Sequence, residues 1–350
     1  MKLNINIKTS ILALTAIVLV SIIGVAQDQL SIPETKEEAL LLINIPNPEF
    51  NPNLNPAPMD AKAIADLGFE QQYENSNRKF AMRDGKELFA FTYARESNTT
   101  VILLHGVLSG AYMMNKTAGL IREATNSEVI AIDLRGHGQS EGTPGDVDYI
   151  DQYADDLSDV ISAVRKEKPN QRIILAGHSM GGGIVLRYAM KKDASTVDGY
   201  LLLAPHLGKN APTIREEEPA EGEAEFLKIH IERIIGLEML NTNGETDYNH
   251  LPVLFFNLPA EIPLRNYSYR ANESISPEDY KKGLNAIHKP LLVVVGSLDE
   301  AFDAGKFKAA IIENSTGEVY VIENETHNGI RHSSETMNVI ANWIEAHKLQ

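Results

Sequence analysis

The sequence predicts an α/β protein, a mostly parallel central sheet with helices on both faces. Short, almost wholly apolar runs alternate along the chain with stretches of helical period. Such runs suit strands covered on both sides, as parallel sheets are, better than the half-exposed strands of antiparallel ones. One interval, between residues 203 and 291, interrupts this rhythm and is too long for a loop. An inserted helical cap is expected there.

Taken in chain order, residues 1–26 come first. Lys2 and Lys8 stand in an acid-free start, residues 11–26 are almost wholly apolar, and Gly24-Val25-Ala26 puts small residues just before Gln27. That order describes a secretory signal peptide, with an uncleaved N-terminal anchor as the rival reading. Export, periplasmic or secreted, is the expectation. Residues 27–77 form a Pro/Asn-rich arm. Pro46, Pro48, Pro52 and Pro56 deny it a long helix or a ladder, and a short helix over 31–43 precedes them. A pro-segment and a surface-hugging arm are both open.

Regular structure is expected from residue 78. Strands over 79–82 and 88–93 flank Asp84-Gly85, a hairpin signal. Further strands are expected over 100–104, 128–132, 172–176, 200–203, 291–295 and 318–322. Helices fall between and after them, over 116–124, 149–166, 182–190, 304–313 and 334–346. The core then comprises 78–206 and 287–350. The cap, 207–286, carries an acidic run over 216–225 and the apolar stretch 251–258. Within that stretch Phe255 and Phe256 are adjacent, so in an extended segment at most one lines a pocket.

Composition removes several functions. Lys and Arg number 32 against 48 Asp and Glu, a net charge of −16, and no basic cluster offsets it. Nucleic acid is therefore not an expected partner. With no cysteine there is no disulfide, thiolate metal site or Cys nucleophile. Neither HExxH nor a P-loop occurs, and no metal or cofactor is expected. Membrane contact is expected only through the N-terminal segment or a lipid substrate.

The chemistry centres on Gly177-His178-Ser179-Met180-Gly181. This pentapeptide follows the apolar Ile173-Ile174-Leu175-Ala176 and opens a helical run, the strand–turn–helix setting in which a serine becomes an exposed nucleophile. Glycines flank the serine because the turn leaves no room for side chains. A hydroxyl needs a base, and in this arrangement the acid and the histidine follow the serine in the chain, at the ends of late strands. Gly296-Ser297-Leu298-Asp299 follows one such strand, and Glu323-Asn324-Glu325-Thr326-His327 follows the last. His327 is expected as general base and Asp299 as the acid that orients it. Glu300 or Asp303 as the acid, and His332 as the base, are the alternatives. His347 is expected to be merely solvated. Backbone N–H groups of Met180 and Val107 are expected to form the oxyanion hole, Gly106 letting the loop turn toward the serine and His105 holding that loop.

Together, Gly177–Gly182, His105-Gly106 and Asp133-Leu134-Arg135-Gly136-His137-Gly138-Gln139-Ser140-Glu141-Gly142 resemble the α/β-hydrolase superfamily. The resemblance is strongest to the serine-hydrolase branch of monoacylglycerol lipases, lysophospholipases and proline iminopeptidase-like aminopeptidases, and it covers about residues 78–346. It implies a cap inserted after the sixth strand, and it makes the 135–140 stretch, with His137 and Ser140, a structural loop beside the site. Residues 27–77 have no counterpart in that fold. The expected activity is an exported serine hydrolase cleaving carboxylic esters with apolar acyl chains, of which monoacylglycerols and lysophospholipids are the type. A serine aminopeptidase, an acyltransferase and a non-catalytic binding relative are the alternatives. The expected partner is a small acyl-ester substrate, a lipid included.

Overall fold

The expected strands assemble into one eight-stranded sheet. The computed structural model describes residues 33–54, 60–215 and 225–350. The segment read as a signal peptide and most of the acidic run lie outside the described residues. In chain order the elements are α1 (Lys36–Ile43) and α2 (Ala61–Ala65) of the arm, then β1 (Ser76–Ala81), β2 (Glu87–Tyr93), β3 (Thr99–Leu104), α3 (Asn115–Thr125), β4 (Glu128–Ile132), α4 (Gln152–Glu167), β5 (Arg172–His178), α5 (Met180–Ala189) and β6 (Gly199–Leu203) of the core. An insert follows with β7 (Leu227–Ile229), α6 (Ile231–Thr242), β8 (Pro252–Phe256), β9 (Asn266–Ser268), α7 (Tyr269–Ser274) and α8 (Tyr280–Asn285). The core resumes as β10 (Leu291–Gly296), α9 (Ala304–Ile312), β11 (Glu318–Ile322) and α10 (Ser334–Ala346).

The sheet order is β1-β2-β4-β3-β5-β6-β10-β11. β2 runs antiparallel to both of its neighbours, and all other pairings are parallel. The Asp84-Gly85 turn closes the β1–β2 hairpin, with Gly85 at φ 85°. Every residue of β3, β4, β6 and β10 is buried, because helices cover both faces. Alternate side chains enter two separate cores. Ile102 and Leu104 pack with Leu157, Ile161 and Ile184 from α4 and α5, while Val101 and Leu103 pack with Ile121 of α3 and Ile340 and Trp343 of α10. Edge strand β11 leaves Tyr320 and Val321 exposed.

The insert departs from the sheet after β6 and returns at β10. It holds the expected helices and also a small antiparallel sheet, β7-β8-β9. Two of its strands have only three residues, too few for period 2 to show in the sequence. Val253, Leu254 and Phe256 join the core on the α4–α5 side, whereas Phe255 is half-buried. Among the described residues no helix is long and apolar enough to cross a membrane.

The arm docks at two places. α1, opened by a capping box of Thr35 and Glu38, lies against α6, where a Cβ at Gly236 would stand 2.8 Å from both Ala39 O and Ile43 Cγ2. Arg233 of α6 donates to Ile43 O, Ile45 O and Asn47 Oδ1 at 3.1, 2.8 and 2.7 Å. Further along, Asp66 Oδ2 accepts the Thr326 hydroxyl at 2.6 Å, and Tyr73 exchanges two backbone hydrogen bonds with the Asn115 amide of α3. The first contact is with the insert, the second with the core.

Candidate active site

Four loops that leave carboxyl ends of parallel strands meet at one place, where open α/β sheets build their sites. β5 ends at His178, and Ser179 follows at φ 54°, ψ −119°, a left-handed turn directly into α5. Close approach explains both flanking glycines. A Cβ on Gly177 would stand 2.4 Å from Gly181 backbone, and one on Gly181 would stand 2.7 Å from Leu104 O and His105 O. Ser179 is fully buried, and its hydroxyl has no hydrogen-bond partner.

Beyond β10, Asp299 accepts the N–H groups of Ala301 and Phe302 on Oδ1, both at 2.8 Å. Beyond β11, His327 places Nδ1 at 3.1 and 3.0 Å from the two Asp299 oxygens. A carboxylate only accepts, so Nδ1 carries the proton and Nε2 is left as the basic nitrogen. Both side chains are fully buried, and Nε2 has no partner. Asp299 and His327 are thus joined, while the link from Nε2 to the Ser179 hydroxyl is not closed. Catalytic hydrogen bonds often tighten only when substrate binds.

On the opposite side, the loop after β3 presses against the serine. A Cβ on Gly106 would lie 3.3 Å from Ser179 Cβ. Val107 comes next in that loop, and Met180 opens α5, where first-turn N–H groups have no acceptor within the helix. His105 donates from Nδ1 to Gly106 O at 2.7 Å and accepts the Leu134 N–H on Nε2 at 3.1 Å, so its ring ties two loops together. Burial lowers it to about 4 and keeps it neutral.

Residues 95–244 match the family described as serine aminopeptidase, S33. Over 219 residues the chain is 29% identical to the AB hydrolase superfamily protein YisY of Bacillus subtilis, covering 60% of this chain and 78% of that one. Over 125 residues it is 31% identical to a monoglyceride lipase of Rattus norvegicus, covering 35% of this chain and 40% of the lipase. The esterase Pf2001 of Pyrococcus furiosus superposes with a TM-score of 0.52 at 18% identity, over 84% of this chain and 97% of the esterase. The chain has the fold of the α/β hydrolases.

Within this fold the alternative site residues take other places. Glu300 accepts the backbone N–H of His327 at 2.9 Å rather than its ring. Asp303 caps α9 through the Gly305 N–H at 3.0 Å. His332 lies against Gly68 of the arm, bonded to the Thr117 hydroxyl at 3.2 Å, with burial lowering it to about 2. His347 pairs with Glu318 at 2.8 Å on the surface.

Three supports were not visible in the sequence. His178, the variable residue of the pentapeptide, donates from Nε2 to His327 O at 2.9 Å, and burial holds it well below the ordinary histidine range. Asp66 of the arm holds Thr326, whose hydroxyl also accepts the Gly329 N–H at 2.9 Å, so the His327 loop is braced on both sides. Tyr267 of β9 reaches the loop beside Val107. For each, the partner lies far away in the chain, and no local pattern announces it.

Proposed function

We propose that this protein is an α/β hydrolase, a serine hydrolase of carboxylic esters that works through an acyl-enzyme on Ser179. The observation that carries the reading is the buried Asp299–His327 pair, its free nitrogen unpartnered, at the same strand ends as a serine in a strained strand–helix turn. His327 Nε2 takes the hydroxyl proton as Ser179 Oγ attacks the ester carbonyl. The developing oxyanion is held by the Val107 and Met180 N–H groups. Asp299 keeps the proton on Nδ1 and stabilises the imidazolium. His327 then delivers its proton to the leaving alcohol, and water repeats the sequence on the acyl-enzyme.

The preferred substrate is an ester with an apolar acyl chain, lipid esters included. What supports this is the insert, whose Phe256 packs on Phe226 and on Tyr267, the residue whose hydroxyl accepts the Leu108 N–H beside Val107. The enzyme acts after export directed by residues 1–26; the sequence of that segment supports this. The description of the matched family favours a second reading, a serine aminopeptidase. The insert's buried carboxylate Glu273, however, is already paired with Lys209.

The test is labelling with a fluorophosphonate, followed by p-nitrophenyl esters of graded chain length against aminoacyl anilides. Ser179→Ala should abolish labelling and lower kcat by several orders of magnitude. Full labelling of that variant overturns the assignment, and turnover confined to anilides selects the aminopeptidase.

A further inference from the structure

Tyr267 belongs to the insert, yet its hydroxyl is fully buried between two loops of the core. Leu108 N–H donates to Tyr267 Oη at 2.9 Å, and Oη lies 2.8 Å from His137 Nε2. The other nitrogen of His137 settles the direction of that second bond. Nδ1 lies 2.9 Å from Arg135 O, which only accepts, so Nδ1 carries the proton. Burial lowers His137 to about 3, so the ring is neutral and Nε2 is an acceptor. Tyr267 therefore donates to His137 and accepts from Leu108.

Leu108 stands at φ 55°, a left-handed conformation that a side chain with a Cβ resists. Its N–H belongs to the peptide directly after Val107. A bond to that N–H fixes the rotation of the chain next to the oxyanion donor and holds Leu108 in its strained form. The strand that carries the phenol is itself anchored. Ser268 N–H donates to Gly145 O at 2.9 Å, and Arg270 forks onto Asp146 at 2.8 and 2.6 Å. The anchor and the phenol both face the stretch around His137.

We propose that Tyr267 is a positioning residue of the oxyanion hole, the insert's own hydroxyl holding the backbone that aims the Val107 N–H. The proposal rests on the serine-hydrolase reading. It gives the insert a part in transition-state stabilisation, distinct from any part in shaping the substrate pocket.

The experiment uses the purified full chain and Tyr267→Phe, which keeps the ring and its packing on Phe256. Two quantities are read: kcat and KM for a p-nitrophenyl ester, and Ki for a trifluoromethyl ketone, which adds to the serine and places an oxyanion in the hole. We expect kcat to fall roughly ten- to a hundredfold with KM within about twofold, and Ki for the ketone to rise by the same factor as kcat falls. Adding Leu108→Gly, which adopts positive φ without strain, should recover at least about threefold of the loss. If Tyr267→Phe alone does not fold, the double variant replaces it, with kcat still at least about threefold below the parent and Ki raised to match. A change in KM or melting temperature with the ketone Ki unmoved overturns the proposal, as does an unchanged kcat. Failure of the parent protein to hydrolyse the ester or to label at Ser179 is a different result, and it overturns the serine-hydrolase reading instead.

Discussion

Asp299 has one oxygen held by the N–H groups of Ala301 and Phe302 and both oxygens turned to His327. The carboxylate is therefore oriented before substrate arrives. Asp299→Asn should leave the fold intact and lower kcat by about 10³–10⁴, because an amide no longer selects the tautomer with the proton on Nδ1. Asp303→Asn, at the cap of α9, should change the rate little, since asparagine caps a helix about as well as aspartate. Steady-state kinetics on the two variants decide, and a larger rate loss at Asp303 would reassign the acid. The places of Ser179, Asp299 and His327 beyond strand ends were legible because each follows an apolar run. His178 and Tyr267 were not, since their partners stand 149 and 159 residues away. Periodicity and motif spacing report what a residue does to its neighbours, and a bond across the fold leaves neither.

Among the elements, the inner strands were easiest to read, because burial on both faces leaves a nearly unbroken apolar run, and β4 lies at its expected bounds. At the edge of the sheet, β11 also lies at its expected bounds. The arm shows the opposite case. Its helix was expected and a surface-hugging arm was one of two open readings, but the place where it docks was not foreseen, for α1 is only eight residues long and its partner α6 lies in the insert. At Gly236 the two helices leave no room for a side chain. Gly236→Val should push Ala39 and Ile43 away and cost about 1–3 kcal/mol of overpacking, lowering the melting temperature. It should also open the chain to trypsin at Lys36, which pairs with Glu245 when the arm is in place. Limited proteolysis beside the parent protein checks this, and equal cleavage rates would mean that α1 does not depend on the α6 contact.

For the whole molecule, buried histidines set the response to acid. Burial lowers His105 and His206 to about 4 and His137 to about 3, whereas an unfolded chain titrates near 6.5. Below about pH 6.5 the unfolded chain takes up protons that the folded one refuses. Stability is therefore fully present above pH 6.5 and is lost as the pH falls toward 4. Melting temperature against pH at constant ionic strength should be level above about 7 and drop steeply below 6. A level curve down to pH 4.5 would mean that these rings are protonated in the folded protein. The arm's contacts also impose an order in time. Asp66 is made 260 residues before Thr326, and Ile43 is made 190 residues before Arg233. At about 5–20 residues per second, roughly 13–52 s separate Asp66 from Thr326 on the ribosome. The arm is thus made before the elements that hold it, and Ala39 and Ile43 stay uncovered until the insert has been made. The loop that carries His327 gains its outer brace only when the arm comes back to meet it.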